Sequence, residues 1–427
     1  MKPYQEMNRE ELIAEKEIVC RQIEQKRSLH LQLDMSRGKP GKEQLALSMD
    51  MLSDLQTVED CFDDNTDARN YGCLSGLPSA KALFADILDT TPDHIFVGGN
   101  ASLQLMYDLI AKAYTHGLLH SPSPWSRRST VRFLCPAPGY DRHFRVSETF
   151  GMEMIPVAMT PDGPDMDVVE QWVKDPNVLG MWCCPKYSNP DGIIYSEETV
   201  RRIAALHPAA PDFTVIWDNA YCIHEFDGDY VPFPDILSLC EKAGNPDMVY
   251  EFASTSKITF PGAGISCMAT SKDNLAYLTK LIGAQIISYD KLNQIRHVRF
   301  LKDKANTLAL MKQHASLLKP RFDAVLDALD KEIKPLSIAN WTKPKGGYFI
   351  SLFAMPGTAK QTLSLAKELG VTMTNAGATY PYGQDPFDSN IRIAPSVPSL
   401  GELKEAVSVL CLCLRFTALE QYLKTVQ

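Results

Sequence analysis

Residues 178–221 read VLGMWCCPKYSNPDGIIYSEETVRRIAALHPAAPDFTVIWDNAY. A short apolar run at 178–184 passes into a loop rich in Ser, Asn, Pro and Gly. Residues 197–206 then space their apolar side chains as an amphipathic helix does, and a second apolar run at 213–217 ends on a single acid, Asp218. Apolar runs this short predict strands buried on both faces, and helices set between them predict a mostly parallel sheet covered on each side.

The alternation extends outward from about residue 77. Apolar runs HIFVG, VRFLC, EMIPVAM, MVYEFA and GISCMAT interleave with PSAKALFADIL, LQLMYDLIAKAY and VVEQWV. The expected class is α/β, with a large sheet domain over residues 51–310. After Ser288, residues 291–322 form one long helical stretch that connects to a smaller α/β domain over 311–427, containing GGYFISLF and NIRIAPS. At the other end, residues 1–50 form a helix and arm packed with the small domain. Asn8 caps that helix with Glu11 as capping-box partner, and Leu12, Ile13, Ile18, Val19 and Ile23 follow. HSPSPWSRRS, at 120–129, reads as a surface insertion.

Composition narrows the function. Of 427 residues, 45% are hydrophobic and 22% charged, ordinary for a soluble globular chain with a large core. A net charge of −9, spread along the sequence, speaks against a nucleic-acid surface. Residues 1–27 lack the apolar segment of a signal peptide, and no stretch reads as a membrane span, so the expected location is the cytoplasm. Eleven cysteines occur without paired Cys-x-x-Cys spacing, which predicts reduced core thiols and no metal site.

In an open parallel sheet, ligands bind beyond the carboxyl ends of the strands. The residues that follow the apolar runs are Asn189 in SNPDG, Asp218 and Tyr221 in DNAY, Ser254, Ser256 and Lys257 in STSK, and Asn100, Ala101 and Ser102 in GGNAS. A lysine there is costly unless its amine is used, and a desolvated amine forms imines with carbonyls; the alternative is a lysine that starts a helix and reaches solvent. Asp218 is suited to keep a pyridine cofactor's ring nitrogen protonated, or otherwise to cap a helix or bind a metal. Tyr221 and Asn189 can offer a phenol and an amide to the 3′ oxygen of such a ring. GGNASL is a turn entering a helix, where free amides bind phosphate. No GxGxxG fingerprint occurs, which disfavours a dinucleotide oxidoreductase. Arg392 in NIRIAPS suits an α-carboxylate, or an ion pair between domains.

Together these residues resemble the fold-type I pyridoxal-phosphate aminotransferases of class I/II. SRGKP, NYGCLSGLPSAKALFADIL, STSKITF and KLNQIRHVRF are similar to phrases of the bacterial aspartate aminotransferases of subgroup Ic. The resemblance implies a mixed, mostly parallel seven-stranded sheet and pyridoxal 5′-phosphate as cofactor. It makes Lys257 the Schiff-base lysine and proton shuttle, with Asp218 at the pyridine nitrogen, Tyr221 and Asn189 at the 3′ oxygen, and Tyr140 of PAPGYDRHF on the ring face. Asn100, Ala101, Ser102, Ser254 and Ser256 would hold the phosphate, joined by Tyr71 from the partner subunit of a homodimer. Gly38 and Arg392 would bind the substrate carboxylate.

One departure stands out. The family pattern carries a phosphate-binding arginine shortly after the lysine, whereas PGAG here puts Gly264 in its place, and Arg296 is the candidate substitute. For a distal carboxylate the candidates are Arg37, Lys39 and Lys291. The implied reaction is ping-pong transfer from L-aspartate to 2-oxoglutarate, with the small domain closing on substrate. The alternatives are an aminotransferase for aromatic or alanine-type donors, a lyase or decarboxylase on the same scaffold, and a non-catalytic regulator. The last would carry a basic winged-helix segment ahead of the fold.

Overall fold

The computed structural model describes residues 2–425, so Met1 and residues 426–427 of the expected terminal segments lie outside the described residues. The large sheet runs in the order Ile95–Val97, Ser266–Ala269, Val249–Ser254, Thr214–Asp218, Val178–Cys183, Arg132–Ala137, Glu153–Thr160 and Gly163–Pro164. Five central strands pair in parallel, while Ser266–Ala269 runs antiparallel to both its neighbours. The seven expected strands are present. The eighth, Gly163–Pro164, is a two-residue antiparallel return, too short to leave an apolar run.

Val178–Cys183 and Thr214–Asp218 are buried along their whole length, as strands covered on both faces must be. Between them, Ser196 caps the Glu197–Ala204 helix by accepting from the Thr199 amide, and Val200 and Ile203 turn inward. Trp182 and Trp217 are fully buried in this layer. Truncating either to Ala would cost roughly 3–5 kcal/mol.

Two apolar cores result. One is built from residues between Ala68 and Met311. The other joins Tyr4–Met35 to residues from Leu318 to Leu419, and takes in Tyr187, Tyr221 and Phe226. It surrounds a three-stranded antiparallel sheet of Ala339–Trp341, Ile350–Ala354 and Asn390–Ile393, with Ser351 opposite Arg392.

Asn8 and Glu11 form the expected capping box on the Arg9–Arg27 helix. Only Leu12, Val19 and Ile23 face inward, however; Ile13 and Ile18 lie off that stripe and are exposed. The Arg9–Arg27 helix packs on the final helix, Leu400–Thr425. That helix is long and apolar enough by composition to span a membrane, yet 67% of its apolar window is buried inside the protein. The single connecting helix is in fact two, Lys291–Leu301 and Lys304–Glu332, because the chain turns at Lys302 (φ 63°) and Asp303 caps the second. The 120–129 insertion is also better anchored than expected. Trp125 is fully buried, and Ser121, Trp125 and Arg128 all donate to Asp212.

Candidate active site

Adjacent strand ends deliver the chemistry. Asp218 closes Thr214–Asp218 and lies in register with Phe252, two residues before Ser254 closes Val249–Ser254. The chain then turns through Ser256 and Lys257. A cavity at this edge is lined by Gly38, Ser102, Tyr140, Asn189, Asp218, Tyr221, Lys257 and Phe349. The Lys257 Nζ lies 4.8 Å from the centroid of the Tyr221 ring. Burial pushes this amine below its ordinary pKa, with the nearby Asp218 carboxylate opposing the shift. Burial likewise raises the Tyr221 phenol well above its usual range.

Asp218 is buried, and its Oδ2 lies 2.9 Å from His143 Nε2. The His143 ring is stacked on Trp182, with centroids 4.4 Å apart. Asp218 Oδ1 is buried without a partner among the described residues. A carboxylate oxygen in that state calls for a donor from the cavity. Tyr140 immediately precedes the Asp141–Thr149 helix, so His143 stands one helical turn beyond a residue already singled out. That spacing in PAPGYDRHF was the available signal for His143, which the sequence reading passed over.

On the opposite side, Ser254 Oγ donates to Ser256 Oγ at 3.1 Å, and Ser256 Oγ donates to the Asn100 carbonyl at 3.2 Å. Ala101 begins the Ser102–Thr115 helix without a side-chain cap, which leaves first-turn amides for an anion. The predicted phosphate residues are therefore together. A Cβ on Gly264 would meet Thr255 Oγ1 at 3.0 Å, the Phe260 carbonyl at 3.1 Å and the Ser256 amide at 3.4 Å. Any side chain there would need these neighbours to give by a few tenths of an ångström. Arg296 lies behind it: Nη2 donates to Asn293 Oδ1 at 3.1 Å, and Asn293 Nδ2 donates to the Ala263 and Gly264 carbonyls. The Arg296 Nε is buried without a partner among the described residues.

Arg392 is 8% exposed. Its Nη1 donates to Asp141 Oδ1 at 2.7 Å and Asn189 Oδ1 at 3.3 Å, and its Nη2 to Thr374 Oγ1 at 3.1 Å. The guanidinium lies 4.8 Å from the Phe349 ring centroid. A Cβ on Gly38 would come within 2.5 Å of the same ring, so only glycine fits this close approach. Asp141 and Thr374 were not foreseen.

The distal-carboxylate candidates are not brought together. Arg37 and Lys39 are exposed and do not line the cavity. Lys291 is buried and donates to the Asn70 carbonyl at 2.6 Å. Tyr71 is 79% exposed on this chain.

The family model described as aspartate amino-transferase matches residues 8–426. The chain belongs to this family. It is 46% identical to a putative aminotransferase of Mycolicibacterium smegmatis, over 98% of this chain and 99% of the relative. It is 43% identical to an aspartate aminotransferase of Corynebacterium glutamicum, over 95% of this chain and 94% of the relative. The crystal structure of an aspartate transaminase from that organism superposes with a TM-score of 0.96 at 42% identity, covering 98% of this chain and 99% of the other.

The protein is an aminotransferase with pyridoxal phosphate as its cofactor. The residues present fit that group. The unpartnered Asp218 Oδ1 suits a pyridine N–H, the Lys257 amine suits an aldehyde, and the Ser254–Ser256–Asn100 cluster at a helix N-terminus suits a phosphate.

Proposed function

We propose that this aminotransferase moves the amino group of L-aspartate to 2-oxoglutarate in two half-reactions, the first keto acid leaving before the second substrate enters. Bound in this cavity, pyridoxal phosphate supplies a carbonyl that exchanges amine partners and a ring that takes up the electrons of a broken Cα–H bond. Lys257 Nζ removes the proton from the donor's Cα in the first half-reaction and delivers one to the acceptor's Cα in the second, its lowered pKa leaving it neutral more readily than an ordinary lysine. Asp218 holds the proton at the ring nitrogen, Tyr221 and Asn189 donate to the 3′ oxygen, and Tyr140 covers the ring face. Asn100, Ala101, Ser102, Ser254, Ser256 and Arg296 take the phosphate. Arg392 and the Gly38 amide take the α-carboxylate.

One observation carries this reading. Arg392 rests against Asn189 and Phe349, both of which line the same cavity as Lys257. A carboxylate-binding fork and a desolvated amine so placed support an α-amino acid site. The preference for aspartate draws support from the Corynebacterium glutamicum relative's name.

The exposed Tyr71, beside the Asn70 carbonyl that Lys291 holds, favours a homodimer in which Tyr71 completes the partner's phosphate site. The two apolar cores favour domains at 51–310 and 311–427, with residues 1–50 packed on the smaller. Eleven free cysteines fit a reducing cytoplasm. A donor panel against 2-oxoglutarate, followed by keto-acid product, tests the substrate. Aspartate should turn over fastest; faster aromatic or branched donors would overturn the assignment.

A further inference from the structure

We propose that Gln44 and His314 are positioning residues: a buried hydrogen-bond relay through them sets the carboxylate loop (residues 36–41) against the lysine turn (residues 255–259), on the reading that Lys257 carries the cofactor and Gly38 meets the substrate.

The relay runs from Gly41 through Gln44 and His314 to Ile258, with a branch at Tyr348, and chemistry fixes its direction. Gln44, His314 and Tyr348 are 2%, 0% and 1% exposed. Gln44 Oε1 accepts from the Gly41 amide at 3.0 Å. Gln44 Nε2 reaches His314 Nδ1 at 3.1 Å and Tyr348 Oη at 3.0 Å. Turning the amide over would set its NH2 against the Gly41 N–H, so its orientation is determined. An amide nitrogen only donates, so His314 Nδ1 accepts. Burial lowers the His314 pKa to about 4, so the ring is neutral at physiological pH with its single proton on Nε2. That nitrogen lies 3.0 Å from the Ile258 carbonyl, which only accepts, and Ile258 adjoins Lys257.

Three contacts suspend the loop. Thr374 Oγ1 donates to the Ser36 carbonyl and Ser396 Oγ to the Lys39 carbonyl, each at 2.7 Å. The third, at Gly41, runs through Gln44 and His314 to the lysine turn. A branch leads through Tyr348, whose ring stacks on Tyr221 with centroids 6.2 Å apart, below the Lys257 amine. A displacement of the Gly38 loop is thereby felt at Lys257.

The test uses Gln44→Leu and Gln44→Glu as holoenzymes. Leu fills the space without hydrogen bonds; Glu keeps the acceptor for Gly41 and, held protonated by burial, donates its O–H to His314 Nδ1 in place of the amide. Gln44→Leu should raise KM for the amino donor about tenfold, with kcat moving much less, as loss of a buried hydrogen bond at a binding loop predicts. Amide hydrogen exchange should quicken in both 36–41 and 255–259, and Gln44→Glu should restore most of both effects. Faster exchange confined to residues 36–44, or a Glu variant no better than Leu, would overturn the relay. If Gln44→Leu does not fold, His314→Phe carries the same exchange comparison. Exchange is read without turnover, so failure of the relay is distinct from failure of the functional reading, which would show as wild-type enzyme forming no keto acid.

Discussion

Arg392 Nη1 donates to Asp141 Oδ1 at 2.7 Å, joining a strand of the smaller sheet to the first residue of the helix after Tyr140. Arg392 is buried, and Asp141 is the carboxylate that neutralises it. On the proposed reading, a substrate carboxylate shares or takes that fork. Asp141→Asn removes the countercharge from the free enzyme and also removes repulsion against the incoming anion. KM for the amino donor should fall several-fold, up to about tenfold. Without ligand the variant should lose roughly 1–3 kcal/mol of stability, regained with saturating dicarboxylate. Steady-state kinetics and thermal melts check both; a rise in KM would mean that Asp141 chiefly aligns the arginine.

His143 should matter to turnover although it does not line the cavity. Its Nε2 serves Asp218 Oδ2 while its ring stacks on Trp182. His143→Phe keeps the stack and deletes the hydrogen bond to a buried carboxylate. Such bonds contribute about 1.5–3 kcal/mol, so kcat/KM should fall roughly 10- to 100-fold with the fold intact. An unchanged value, measured alongside near-UV circular dichroism, would remove His143 from the machinery.

What the sequence made legible follows from range. Buried strands and the residues at their carboxyl ends are local features, so Lys257, Asp218, Tyr221 and the 100–102 turn could be read one stretch at a time. Asp141, Thr374, Gln44 and His314 could not. Their partners lie 251, 18, 270 and 56 residues away, in the pairs to Arg392, Arg392, His314 and Ile258. The break at Lys302 was hidden for a different reason: the flanking apolar pattern stays helical through a single residue of positive φ. The final helix has apolar positions on all sides, the mark of a helix with little solvent face.

Glu251 gives stability a pH dependence of definite sign. It is buried on a central strand and accepts from Asn219 Nδ2 at 2.7 Å, and burial raises its pKa from 4.5 to about 8. In the unfolded chain it ionises near the ordinary value; in the folded chain it stays protonated until about pH 8. The folded state therefore holds the extra proton between these limits, and this group's contribution is complete below the lower one and declines as pH rises to the upper. The slope approaches about 1.4 kcal/mol per pH unit inside the window. Glu251→Gln keeps an acceptor for Asn219 and cannot ionise. Denaturant titrations at pH 5 and pH 8 should show the variant gaining on the wild type as pH rises; a constant difference would refute the assignment.

Arg296 is the cation we propose as the stand-in for the arginine absent at position 264. It shares Asn293 with the Ala263–Gly264 backbone, and its unpartnered Nε leaves hydrogen-bonding capacity unused. Gly264 itself is crowded by Thr255, Phe260 and Ser256, so an arginine restored there would need these neighbours to give by a few tenths of an ångström. A charge-assisted bond to phosphate contributes about 1.5–3 kcal/mol. Arg296→Ala should therefore weaken pyridoxal phosphate binding roughly 10- to 100-fold, measured by equilibrium dialysis of the reconstituted protein. Because the proposed contact is to the phosphate and not to the ring or the imine, the wavelength of the bound cofactor should stay unchanged. Unaltered affinity would free Arg296 from this role and leave the phosphate to the serines and the helix amides alone.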